Sequence, residues 1–152
     1  MNYQEEFIAK LFQNHPEIKD DFEKYMVENL YFDPQTDGVS YQFSIGLSFY
    51  IRNLLEHNNY FFLKKILTFI EGYIGLDQKI DEGIEILIFE SIISSLRGDD
   101  RDNGTHTFED FVKLLGSKSI QLCRKNEDFW NNLDIRPKTL ANLVRHIREQ
   151  DK

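Results

Sequence analysis

Asp99, Asn103, Gly104 and Asp110 fall at the first, fifth, sixth and twelfth places of a calcium-binding loop. At that spacing oxygen donors converge on a hard cation while a glycine makes the sharp turn. Two residues break the pattern. Arg101 takes the third place, where a donor oxygen is required and a guanidinium offers only repulsion, and His106 takes the eighth, where an apolar residue would join paired loops. The polar run 98–106 therefore reads as a solvated acidic turn, the longest loop in the chain, able to serve as a contact surface.

Other chemistries lack their residues. His15, His57, His106 and His146 are scattered, with no His-Glu-x-x-His helix and no Cys-His cluster, so no metal site is expected. Neither a glycine-rich phosphate loop nor a Gly-x-Ser-x-Gly elbow occurs, and no cofactor or catalytic residue is assigned. The neighbouring carboxylates Glu5 with Glu6, Asp20 with Asp21 and Glu82 with Glu85 fall on exposed helical positions and read as solvated faces. Glu90 is the exception. It lies in a narrow polar seam of an otherwise apolar helix, where a carboxylate must be paired, capped or placed at a functional groove.

That helix, expected over 77–97, organises the elements around it. Ile80, Ile84, Leu87, Ile88 and Ile92 make one stripe on a helical wheel, and Ile86, Phe89, Ile93 and Leu96 cover the opposite side, leaving Gly83, Glu90, Ser94 and Arg97 as the seam. A helix apolar nearly all round must be wrapped by others. Helical periodicity predicts those others at 2–14, where Asn2 is a good N-cap, at 17–31 after Pro16, and at 59–74 before Gly75. Residues 41–51 alternate polar and apolar like a strand, but Phe43, Leu47, Tyr50, Ile51, Leu54 and Leu55 also fall at helical spacing. No second alternating segment exists to pair with a lone strand, so a helix is expected, with Gly46 admitting a close neighbour.

Thr107 followed by Asp110 opens a short helix to Leu115, and further helices are expected over 117–131, with Trp130, and 138–150 after Pro137. In the 117–150 region Ile120, Leu122, Cys123 and Phe129, then Leu140, Leu143, Val144 and Ile147, are the inward residues. The prediction is one all-α domain over 1–152, a bundle of seven to eight helices. It is either an irregular bundle or a HEAT-like stack of antiparallel pairs, 2–31, 39–74 and 77–115, around the central buried helix.

Composition sets the outer limits. With 13 Phe, 7 Tyr and 41% hydrophobic residues, a 152-residue chain can bury a proper core. No apolar run approaches the roughly 18 residues of a membrane span, and the start, Met-Asn-Tyr-Gln-Glu-Glu, lacks the basic end of a secretory signal. A cytoplasmic protein is expected, with its single cysteine, Cys123, as a small core residue. Acidic residues outnumber basic ones 9 to 3 in residues 1–40 and 10 to 3 in 77–110, whereas 111–152 has 9 basic to 5 acidic. The net charge of −8 argues against nucleic acid as a partner and for a basic protein partner. The basic tail from Arg136 and Lys138 to Arg145 and Arg148 has too few aromatics to stack bases, and neutralising an acidic neighbour is its simpler role.

Phe69-Ile70-Glu71, Ile88-Phe89-Glu90-Ser91 and Leu114-Leu115-Gly116-Ser117-Lys118-Ser119 give residues 40–130 a resemblance to small all-helical bacterial proteins of the toxin-immunity type. Such proteins, from contact-dependent inhibition and other polymorphic toxin systems, bind and block a co-encoded toxin domain, often a basic nuclease. The resemblance implies no catalytic residues. The expected function is therefore binding: an immunity protein whose acidic surface steers and holds a basic toxin, through Asp20, Asp21, Asp33, Asp37, Glu90, Asp99, Asp100 and Asp102. A regulatory or scaffold protein is the alternative, and a metal-dependent hydrolase built on Glu90 and a histidine is the competing reading from another class.

Overall fold

The structure, a computed structural model, describes residues 2–124. Asn2 opens α1 (Tyr3–Asn14), its side-chain oxygen accepting from Glu5 N at 2.9 Å. Pro16 occupies the first turn of α2 (Pro16–Leu30), where its missing N–H would have had no helical partner. The turn that follows is held by its own aspartates: Asp33 Oδ1 accepts from Gln35 N and Asp37 Oδ2 from Asp33 N, both at 2.9 Å.

The next helix, α3, spans 39–56 and is helical throughout, although Gln42–Gly46 within it is a π-helical turn. All six residues assigned to its inner face, from Phe43 to Leu55, are buried. Burial of a helical stripe therefore overrides the strand-like alternation. Asn59 caps α4 (Tyr60–Tyr73) by accepting from Phe62 N at 3.3 Å. The central helix, α5, spans 78–103 as Gln78–Gly83, a second π-helical segment Ile84–Glu90, and Ser91–Asn103. Two shorter helices follow, α6 (Thr107–Lys113) and α7 (Ser117–Arg124). Phe129, Trp130 and the expected helix 138–150 lie outside the described residues. Among the described residues every regular element is helical, and no helix is long and apolar enough to cross a membrane.

Two rods, α3 and α5, make the spine. The first packs against α1, α2, α4 and α5, the second against α1, α3, α6 and α7. In an open stack each helix pair touches only its neighbours; here α1 reaches past the α3–α4 pair to α5, and the result is an irregular bundle. Aromatic edges fill its centre, with Phe7 against Phe43 at 5.2 Å and against Tyr73 at 5.1 Å, and Phe22 against Tyr50 at 5.1 Å. Gly46 does admit a close neighbour: a Cβ there would meet Met26 Sδ at 2.6 Å, so α2 lies directly on α3. Burial pushes the Cys123 thiol up to about 12, with the Glu85 carboxylate adding to the shift, and the side chain serves as a protonated core residue.

Two expectations need correction. Ile86 is 53% exposed and Leu87 only half-buried, so α5 is not wrapped on every side. The wheel assumed a regular α-helical phase, and the wider π turn over Ile84–Glu90 re-phases the residues it contains. The second correction concerns 98–106. Residues 98–103 continue α5, and the helix ends only where Gly104 adopts the left-handed conformation at φ 67°. Asp99, Asp100 and Asp102 thus stand on the last turns of a helix, and a helical backbone cannot wrap Asp99 and Asn103 around one cation.

Candidate functional site

The side of α5 left uncovered faces α3, and between them runs an open groove of about 690 Å³. The first wall carries Ser44, Ile45, Ser48, Phe49 and Arg52; the second carries Ile86, Leu87, Glu90, Ser91, Ser94 and Ser95. Each wall includes part of a π-helical segment, Gln42–Gly46 in one and Ile84–Glu90 in the other. Such segments cost regular hydrogen bonding and recur where a helix must present side chains to a partner or ligand. Ile45 is 38% exposed and Phe49 41%. With Ile86 they make an apolar strip that the fold leaves in water.

The polar groups are of two kinds. Some are tied down: Ser44 Oγ donates to Ser40 O at 2.7 Å and Ser48 Oγ to Ile45 O at 3.0 Å. At one end the Arg52 guanidinium lies 5.5 Å from the Phe49 ring centre, 3.7 Å from Glu56 and 3.8 Å from Asp99, while its Nε is buried without a hydrogen-bond partner among the described residues. The others are open. Among the described residues no side-chain hydrogen bond or ion pair engages Glu90, Ser91, Ser94 or Ser95. Glu90 is therefore neither paired nor capped within the described chain, and it stands in a groove. No histidine lines that groove, so the Glu90–histidine arrangement of a hydrolase is not assembled among the described residues. No cluster of three potential metal ligands occurs among them either.

The other acidic residues expected to bind a partner do not form one free surface, because most are engaged by their own chain. Asp21 accepts from the Tyr50 hydroxyl at 2.6 Å, and burial with this bond holds the phenol protonated well above its usual range. Asp33 and Asp37 organise the turn between α2 and α3. Asp99 is committed to Arg52 at the groove's end. Among the described residues Asp20 and Asp102 are exposed and have no such partner.

Asp100 is the most firmly engaged. Its carboxylate accepts from Thr107 N and Phe108 N, both at 2.9 Å, from Thr105 Oγ1 at 2.5 Å, and from Thr107 Oγ1. It caps α6 from across the turn, replacing the Thr107–Asp110 capping box expected there, and His106 at the cap position contributes no side-chain bond. Burial raises the Asp100 pKa, but the threonine hydroxyls and the two amides together outweigh it and leave the group below the usual carboxylate range. A folded value below the unfolded one means stability that is complete above the unfolded value, about 4, and is lost as pH falls through the folded one. Asp100→Ala is expected to cost about 1–2 kcal/mol in urea unfolding at pH 7, with the gap to the parent protein closing below about pH 4.

Glu71 plays the same role for α7, accepting from Lys118 N at 2.7 Å, Ser119 N at 3.0 Å and Ser119 Oγ at 2.6 Å. Periodicity alone places it outward, because a cap supplied from another helix leaves no local signal. The groove residues Ile45, Phe49 and Arg52 were also missed. The available signal was a pair of (i, i+4) repeats, Ser44–Ser48 and Ile45–Phe49.

Residues 8–131 match the model of a family described as a domain of unknown function, DUF7674. No curated protein and no solved structure matches the chain.

Proposed function

This chain belongs to the DUF7674 family, and we propose that it is a non-enzymatic binding protein of the cytoplasm whose α3–α5 groove receives a helical segment of a protein partner. One observation carries this reading: Ile45, Phe49 and Ile86 lie exposed in a groove also lined by Ser91, Ser94 and Glu90, whose carboxylate has no partner among the described residues. An amphipathic helix laid into such a groove buries an apolar stripe, and its basic residues meet Glu90 and the acidic surroundings. The exposed aromatic and aliphatic side chains are the anchors that dominate such interfaces. The specific role we assign is immunity, with the partner a basic toxin domain. The acidic body supports it, since complementary charge accelerates capture of a basic protein and selects against others.

The test is co-expression with the product of the adjacent open reading frame. The reading predicts that the neighbour alone arrests growth, that the wild-type chain co-purifies with it and restores growth, and that Phe49→Glu abolishes both. Co-purification through the groove without toxicity would point to the regulatory or scaffold role. Rescue and co-purification that survive Phe49→Glu would overturn the assignment of the groove.

A further inference from the structure

We propose that the groove selects a partner helix by the order of side chains along it: an apolar residue, a single cation one turn on, and an uncharged polar residue one turn further. The inference rests on the groove being the surface that receives a helix, and it names the helix that fits.

Two contacts fix the order of the walls. Gly83 lies against Phe43, where an added Cβ would meet the ring at 3.2 Å, and Asp99 lies 3.8 Å from Arg52. α3 and α5 therefore run side by side in the same direction, and the groove residues of each follow one another along it in sequence order. On α3 they include Ile45, Phe49 and Arg52, and on α5 Ile86, Glu90 and Ser94, each three or four residues from the last and so about one turn apart.

The level nearest Phe43 and Gly83 is apolar, with Ile45 and Ile86 exposed and Leu87 half-buried. The middle level sets the Glu90 carboxylate, which has no partner among the described residues, across from the exposed ring of Phe49. A cation seated there meets a carboxylate and an aromatic side chain together. The third level has the opposite sign at its surface. Arg52 lines it, whereas Glu56 and Asp99, which face the guanidinium, do not line the groove. Those ion pairs, at 3.7 and 3.8 Å, are longer than hydrogen bonds and leave the guanidinium's donors unused. Ser94 and Ser95 add hydroxyls. A second cation is repelled by Arg52, while the carbonyl oxygen of an uncharged side chain can accept from it or from a serine. A helix repeats a facing side chain about every 5.4 Å, the step of the walls themselves, so its positions i, i+4 and i+8 meet the three levels.

The experiment titrates the full chain, ¹⁵N-labelled, with capped alanine-glutamine helical peptides of about 17 residues. One carries leucine, arginine and glutamine at i, i+4 and i+8; the other has the same composition with leucine and arginine exchanged, so that the cation no longer stands in the middle. Both should shift amides at residues 44–52 and 86–95 and leave α1 unmoved. The peptide with the central arginine should bind about five-fold more tightly, the worth of one well-placed ion pair. Glu90→Gln should bring the two peptides to within about two-fold, and Glu90→Lys should prefer a third peptide with glutamate in the middle. Equal affinity of the first two peptides for the wild-type chain would overturn the inference, as would a preference that survives Glu90→Gln. Groove amides that neither peptide moves at millimolar concentration would overturn it as well. The natural partner does not enter this test. Co-expression can fail while the peptides rank as stated, and the ranking can fail while a partner still binds through Phe49, so the two readings fall separately.

Discussion

Replacing Phe89 by alanine lowers the free energy of unfolding by about 3–5 kcal/mol, read as a shift of the urea midpoint without a change of slope. Phe89 is 1% exposed and packs on Phe111 at 6.5 Å, where the π-helical part of α5 meets α6. Truncation removes apolar surface and leaves a void that a spine helix contacted by four others cannot collapse. Ile88→Ala at the fully buried neighbour is expected to cost about 2–5 kcal/mol on the same grounds. Ile86→Ala, two residues away and half in water, should stay within about 0.5 kcal/mol of wild type. The contrast between neighbouring residues of one helix separates the buried face of α5 from the face it turns to the groove.

Ile86→Glu carries the second large effect, and on binding alone. A carboxylate at the centre of the apolar strip would be desolvated by any helix laid into the groove, and a second negative charge would stand near Glu90 without the methyl groups that anchor the partner. Partner affinity should fall on the order of 100-fold, about 2.7 kcal/mol, while the urea midpoint remains near that of wild type. Glu90→Lys should weaken a basic partner mainly through slower association, with the loss shrinking as salt is raised. Equal losses of stability and binding in Ile86→Glu would show instead that the residue serves the fold.

The helices were legible because their signals are local. Asn2 and Pro16 mark helix starts through the chemistry of the first turn, and the buried stripe of α3 from Phe43 to Leu55 was readable despite the strand-like alternation. The site was less legible because what makes it is relational. Glu90 stood out as a carboxylate in a polar seam, but its groove exists only once α3 lies alongside, bringing Ile45 and Phe49 opposite Ile86. The two π-helical segments shift which residues face outward, and no 3.6-residue wheel contains that shift. The surroundings of the acidic residues were hidden for a related reason. Charge can be counted along a chain, but Asp21, Asp99 and Asp100 find Tyr50, Arg52 and the start of α6 only in three dimensions.

The most direct measurement of the central claim is amide hydrogen exchange of the full chain with and without its bound protein partner. Recognition through the α3–α5 groove predicts slowed exchange concentrated at residues 44–52 and 86–95, with α2 around Asp20 unchanged. Protection confined to α2 or to the end of α5 at Asp102, with the groove exchanging as in the free protein, would contradict it and return the interface to the acidic surface.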